Sequence, residues 1–159
     1  PDDTIPVFNA LLEEELTRNV AVANFDVDLI EEAQARFDAP ILANQIEMHP
    51  LLQQDELHEY VTQEDMYLIA YCPLMRGSIG DVSELVEIAD KHDTTPGQVS
   101  LAWLQAKDNV IPIPKSSGSH LEENYRSQEL KLHDEDIARI DAIDREERVI
   151  DAEKGPWHW

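Results

Sequence analysis

Two carboxamides, a phenol ring and a lysine each follow a short apolar run in this sequence. Asn24 comes after Val20-Ala21-Val22, Gln45 after Ile41-Leu42-Ala43, Tyr71 after Tyr67-Leu68-Ile69-Ala70, and Lys115 after Val110-Ile111-Pro112-Ile113. A side-chain amide can hydrogen-bond a primary carboxamide in both directions. An aromatic face can stack on a flat heterocycle, and a lysine just ahead of a helix can hold a phosphate. Brought together, the four would suit a nicotinamide dinucleotide. Singly, each has a plainer role: Asn24 as a turn residue or helix cap, Tyr71 as a core tyrosine. Gln45 is harder to dismiss, because an amide inside a buried strand needs partners.

Such residues converge only where strand ends do. Parallel sheets and barrels both bind ligands at the carboxyl ends of their strands. Ile5, Phe8, Leu11, Leu12 and Leu16 recur at helical spacing ahead of the first apolar run. Asp26 can cap a helix carrying Leu29, Ile30, Ala33 and Phe37, which Pro40 ends. Leu57, Tyr60 and Val61 mark a helix before the third run, and Leu85, Ile88 and Ala89 mark another after it. Thr95-Pro96-Gly97-Gln98 starts the next as a capping box with proline at the first position. Ser119 and Glu122 predict a further capping box, and Ile137, Ile140 and Ile143 a final helix. Strands separated by helices imply parallel α/β architecture with right-handed crossovers. The pattern fits a barrel and a doubly wound sheet equally.

Composition narrows the class. Among 159 residues, 34 are acidic and 12 basic, a formal charge of −22, which excludes a basic nucleic-acid binder. The spread of carboxylates suggests adaptation to high salt. The length and the absence of a Ser/Gly-rich linker suit one unit over residues 1–159. Cys72 is the single cysteine, so no intrachain disulfide can form. No apolar run approaches a membrane span, and the first residues lack a signal-peptide pattern; the expectation is a soluble cytoplasmic protein without a membrane partner. Pro1 in place of methionine suits a processed product or part of a longer chain. The five glycines form no G-x-G-x-x-G turn.

Other chemistries find little support. The six histidines are scattered in sequence, and Thr62 stands where a zinc-protease helix starting at His58 needs its second histidine, so no metal site is expected. Glu47 is the one carboxylate at a strand end, where a glycosidase needs two. Cys72 has no identifiable base, although His49 could be near it in space.

Five segments together resemble the aldo-keto reductase family. Val22-Ala23-Asn24-Phe25 is similar to its V-S-N-F, Asn44-Gln45-Ile46-Glu47-Met48-His49-Pro50 to N-Q-x-E-x-H-P, and Ala70-Tyr71-Cys72-Pro73-Leu74 to A-Y-S-P-L. Thr95-Pro96-Gly97-Gln98-Val99 resembles T-P-A-Q-V, and Ile113-Pro114-Lys115-Ser116 resembles I-P-K-S. The likeness spans the chain but only the second half of the family. It implies a (β/α)8 TIM-type barrel of which this chain is about half: four βα units, a C-terminal helix and a tail at 151–159.

The resemblance also implies roles. Asn24 and Gln45 would hold the nicotinamide carboxamide, and Tyr71 would stack beneath its ring. Leu74 and the loop through Arg76 would follow the pyrophosphate with backbone amides. Lys115, Ser116 and His120 would meet the 2′-phosphate of NADP(H), and Glu123 and Asn124 the adenine end. Trp157 would line a pocket for a small carbonyl substrate, the alternative being a tail that covers the barrel rim. Ala23 replaces the family serine, removing a hydrogen bond worth ~1 kcal/mol. His120 stands where an arginine is common, which leaves NAD(H) as an alternative cofactor. The family's proton-donor set belongs to its other half, and Tyr60, Tyr67, Tyr71 and Tyr125 do not match that motif. Two readings follow: the cofactor half of an NADP(H)-dependent aldehyde or ketone reductase, or a noncatalytic half-barrel that binds nucleotide. Either should associate with itself or with a partner that completes the barrel.

Overall fold

Helices and strands alternate along the computed structural model, which describes residues 3–150. In chain order they are α1 (Thr4–Glu13), β1 (Val20–Ala23), α2 (Val27–Gln34), β2 (Ile41–Glu47), α3 (Asp55–Gln63), β3 (Tyr67–Tyr71), α4 (Ser83–Lys91), α5 (Pro96–Gln105), β4 (Val110–Pro112), α6 (Ser119–Arg126) and α7 (Asp134–Asp141). Two 3-10 segments, Met75–Asp81 and Ser127–Glu129, join them. The strands form one sheet in the order β1-β2-β3-β4, with every pair parallel. Each crossover between neighbouring strands carries at least one helix, as parallel pairing requires.

The sheet has two unlike faces. Register aligns Asn44 with Val22 and Leu68, Leu68 with Val110, and Ile46 with Ala70. Asn44, Ile46, Leu68, Ala70 and Val110 are buried in the core shared with the helices. Because side chains alternate, Ala23, Gln45, Ile69 and Ile111 line up on the opposite face. Ala43 and Glu47 on that face are buried, but among the described residues the rest of it is open, with Tyr67, Ile111 and Ile113 exposed. Beneath the sheet, Trp103 of α5 is fully buried, and its Nε1 donates to Asp141 at 2.8 Å. No helix among the described residues is long and apolar enough to cross a membrane.

Several boundaries differ from the expectation. α1 stops at Glu13, and Leu16 lies outside it and exposed, because Glu15 takes a left-handed φ of 56°. The Leu16 N–H then returns to the Leu11 carbonyl at 2.9 Å. α2 ends at Gln34, before Phe37 and Pro40, because the Gln34 side chain clasps the turn. Its Nε2 donates to the Ala39 carbonyl at 3.1 Å and its Oε1 accepts from Ile41 N at 2.8 Å. β2 continues past Ala43 to Glu47, carrying Asn44 and Gln45 inside the strand. Asn44 is tolerated there because its Nδ2 donates to the Phe25 carbonyl at 2.8 Å. Ile143 falls beyond the end of α7.

The two expected capping boxes divide. At α5, Thr95 Oγ1 accepts from Gln98 N at 3.3 Å, completing the box. At α6, Ser119 is already the first helical residue. The cap is Gly118 at φ 60°, ψ −136°, a conformation open to glycine, and no side chain caps the end. Glu122 instead accepts from Arg126 Nη2 at 2.5 Å. Thr95→Ala is therefore expected to lower stability by about 1–2 kcal/mol, and Ser119→Ala by less than about 0.5 kcal/mol. Urea unfolding midpoints measure both, and equal losses would contradict the placement of the cap at Gly118.

Candidate functional site

β1 ends at Ala23, and Asn24 turns the chain with a left-handed φ of 58°, which asparagine tolerates better than most residues. Its N–H still donates to the Gln45 carbonyl at 2.8 Å, so the ladder holds it against β2. The Tyr71 hydroxyl, at the last residue of β3, donates to Asn24 Oδ1 at 2.9 Å. Gln45 pairs with Ala23 on one side and Ile69 on the other, which sets Gln45, Ile69 and Tyr71 on the open face. Asn24, Gln45 and Tyr71 are all half-buried. Burial raises the Tyr71 pKa, Glu47 adds to the rise and Arg148 opposes it. The phenol thus stays neutral and tethered at its tip.

A second group follows β4. Ile113 N donates to the Ala70 carbonyl at 3.0 Å, extending the ladder one residue and leading Pro114 and Lys115 away from beside Tyr71. Lys115 is exposed, whereas Ser116 is half-buried. Ser116 Oγ and Asn124 Nδ2 are both enclosed without a hydrogen bond among the described residues. Glu123 Oε1 accepts from Thr95 Oγ1 at 2.7 Å, and Glu123 Oε2 lies 3.3 Å from Nδ1 of the exposed His120. One carboxylate therefore ties α6 to the start of α5.

The loop leaving β3 connects the two groups. Cys72, Met75 and Arg76 all take left-handed φ values, 52°, 48° and 54°. Such strain in non-glycine residues, of order 1 kcal/mol or more each, persists where surrounding structure over-determines it. Leu74 packs over Gly97, its Cδ2 3.5 Å from where a Cβ would stand. Arg76 is exposed. Burial raises the Cys72 thiol pKa, the Glu47 charge raises it further, and Arg76 only partly opposes them. A protonated thiol is a poor nucleophile.

Glu47 and His49 do something the sequence reading did not foresee. Both side chains are fully buried, with His49 Nε2 3.0 Å from Glu47 Oε1. Glu47 also accepts Val149 N at 2.5 Å and Ile150 N at 3.0 Å, while Glu147 N donates to the Leu51 carbonyl at 2.7 Å. Residues 147–150 are thereby pinned across the end of β2, beside Tyr71, which pairs with Glu47. The available signal was a carboxylate between apolar neighbours in a strand, which demands buried donors. Trp157 and the rest of the tail at 151–159 lie outside the described residues.

A cleft of about 650 Å³ lies elsewhere, between the loops after β1 and β2 and residues 143–148. Of the expected cofactor residues it shares only Asn24, and Asp26, Asp28, Asp55, Glu56, Asp144 and Glu146 line it. Carboxylates outnumber Arg145 and Arg148 in its lining, an excess that repels phosphate.

Residues 1–145 match the aldo/keto reductase family. This chain belongs to that family. It is 36% identical over 148 residues to glyoxal reductase of Bacillus subtilis, covering 92% of this chain and 53% of that protein. It is 31% identical over 151 residues to 9,11-endoperoxide prostaglandin H2 reductase of Trypanosoma cruzi, again 92% and 53%. Among solved structures, aldose reductase of Giardia lamblia superposes with TM-score 0.88 at 30% identity, over 94% of this chain and 53% of that one. An aldo-keto reductase complexed with NADPH gives TM-score 0.80 at 27% identity, over 91% and 47%. The chain spans about half the length of the curated relatives it matches. Its four parallel strands thus correspond to part of an aldo/keto reductase barrel.

Within this aldo/keto reductase segment, the buried Glu47–His49 pair makes stability depend on pH. Burial holds His49 below the ordinary 6.5, against the Glu47 hydrogen bond that raises it. The unfolded chain takes up a proton below about 6.5 that the folded one resists. Stability from this site is therefore present above that pH and declines as pH falls through and below it. His49→Gln is expected to flatten the fall in urea midpoint between about pH 7.5 and 5.5; an unchanged slope would contradict the burial of a neutral imidazole.

Proposed function

We propose that this chain supplies the NADP(H)-binding half of an oxidoreductase that reduces small aldehydes or ketones to alcohols. The observation that carries the reading is the meeting of Asn24, Gln45 and Tyr71 at the strand ends on the open face. Bound there, the dinucleotide would supply a hydride. The side-chain amides of Asn24 and Gln45 would orient the nicotinamide carboxamide, and the Tyr71 ring, fixed through its hydroxyl, would support the nicotinamide from below.

The opposite end of the cofactor fits the enclosed, unpaired Ser116 Oγ and Asn124 Nδ2. A ligand carrying phosphate and adenine atoms would supply the partners that buried polar atoms require. Lys115 would add positive charge to the 2′-phosphate. His120, 3.3 Å from Glu123, would add a further hydrogen-bond donor toward that phosphate. Backbone amides from Leu74 to Arg76 would follow the pyrophosphate between the two ends. NAD(H) would use the same cradle without the contacts to the 2′-phosphate.

The proton for the substrate oxygen would come from the other half of such a barrel. Tyr71 is engaged with Asn24, Tyr67 lies at the opposite end of β3, and Tyr60 and Tyr125 are on helices. The open apolar face, with β1 and β4 as unpaired edges among the described residues, supports association with that half or with a second copy. The names of the relatives make a small dicarbonyl such as glyoxal a first substrate to test.

The test is calorimetric titration of the full chain with NADPH in high salt, which screens its charge of −22. Gel filtration and a glyoxal-reduction assay accompany it. NADPH binding, Tyr71→Ala weakening it about tenfold or more, and turnover only when a complementary half is supplied would support the reading. Nucleotide binding by an inert dimer would favour the noncatalytic alternative. An active monomer, or no binding, would overturn the assignment of a cofactor half.

A further inference from the structure

The C-terminal end of α4 meets the N-terminal end of α7 around Asp136, whose side chain is 5% exposed. Asp136 Oδ1 accepts from Lys91 Nζ at 2.9 Å, and Oδ2 accepts from His92 Nε2 at 2.7 Å. His133 Nδ1 lies 3.6 Å from the same Oδ2, and the two imidazole centroids are 5.1 Å apart. Histidines 41 positions apart in sequence thus converge on one buried oxygen, a cluster invisible to a search for short metal motifs. None of these residues belongs to the proposed cofactor cradle.

We propose that His92, His133 and Asp136 form a binding site for a divalent transition-metal ion of the zinc class, stapling α4 to α7. One ligand atom from each residue lies within 4.8 Å of the other two. A tetrahedral ion with bonds of about 2.0–2.1 Å keeps its ligands about 3.3 Å apart. Reaching that geometry parts His92 Nε2 and Asp136 Oδ2 from 2.7 Å by about 0.6 Å and closes the widest ligand separation, within 4.8 Å, by up to about 1.5 Å. His133, 65% exposed, makes most of that movement by giving up its capping contact at the start of α7, and leaves a fourth position open to water. Asp136 is fixed by Lys91, whose charge is offset by its contact with Glu135.

Two further points support the assignment. Asp136 already has sufficient partners in Lys91, His92 and the His133 N–H, 3.3 Å from Oδ2. The His133 ring is therefore surplus as a hydrogen-bond donor, while as a ligand it completes a set of three. Two imidazoles with one carboxylate suit zinc, cobalt or nickel and not magnesium or calcium. The C-terminal dipole of α4 favours a cation, and the N-terminal dipole of α7 offsets that preference.

Titration of the full chain with Co2+ tests the proposal through the visible absorption of four-coordinate cobalt. The expected result is one site, displaced by Zn2+ and indifferent to excess Mg2+. His133→Ala, which removes an exposed ring, should weaken binding at least about tenfold, with His58→Gln leaving the affinity unchanged. Zn2+ should also raise the melting temperature of the parent chain and not that of His133→Ala, whose far-UV circular dichroism checks its fold. Absence of saturable Co2+ binding, or equal affinity in His133→Ala, would overturn the site without touching the cofactor assignment.

Discussion

β2 is paired in parallel on both sides, and the placement of the candidate site depends on that double pairing. The ladder to β1 sets Asn24 against the Gln45 carbonyl, and the ladder to β3 puts Tyr71 opposite Glu47. Alternation along the strands then assigns faces: a continuous apolar set packs under the helices, and Gln45, Ile69 and Tyr71 remain on the other side. A slip of one residue in either ladder would bury Gln45 among leucines and turn apolar side chains into the open. The core therefore protects the site, because the burial of Ile46, Leu68 and Ala70 forbids the slip.

Around this frame, buried polar groups set local geometry. Asn44 faces the core yet satisfies itself on the Phe25 backbone, fixing the exit from β1. Glu47 receives two backbone N–H groups from residues 149 and 150, bringing the end of the described chain to the mouth of the sheet. Glu123 links α6 to the cap of α5 through Thr95. The first two contacts join β2 to segments far away in sequence, and the third joins two helices. The loops are thus held by the scaffold, although few of their residues are regular.

Much of this was legible beforehand because periodicity and turn chemistry are local. The apolar runs at 20–22, 41–43 and 67–70 lie in the first three strands, the run at 110–113 overruns β4 by Ile113, and Asp26 and Thr95 cap the helices their positions suggested. What stayed hidden depends on tertiary context. The continuation of β2 through Asn44 to Glu47 was hidden because nothing local reveals the Phe25 backbone that partners Asn44. Ser119 read as a cap because serine favours that position, yet the left-handed glycine before it starts the helix. The left-handed Cys72, Met75 and Arg76 carried no glycine signal. His92 and His133 were separated by two helices and a strand, so only the fold brings their rings together.

The central claim is that one extended dinucleotide lies across the ends of β1, β2 and β3 and reaches the start of α6. NADPH titration followed by nuclear magnetic resonance, read at the side-chain amides of Asn24, Gln45 and Asn124 and the backbone amide of Ser116, tests it most directly. The expected result is that all four resonances move with a single saturation curve. Movement confined to the carboxylate-lined cleft between Asp26 and Glu56, with these four signals unmoved, would contradict it.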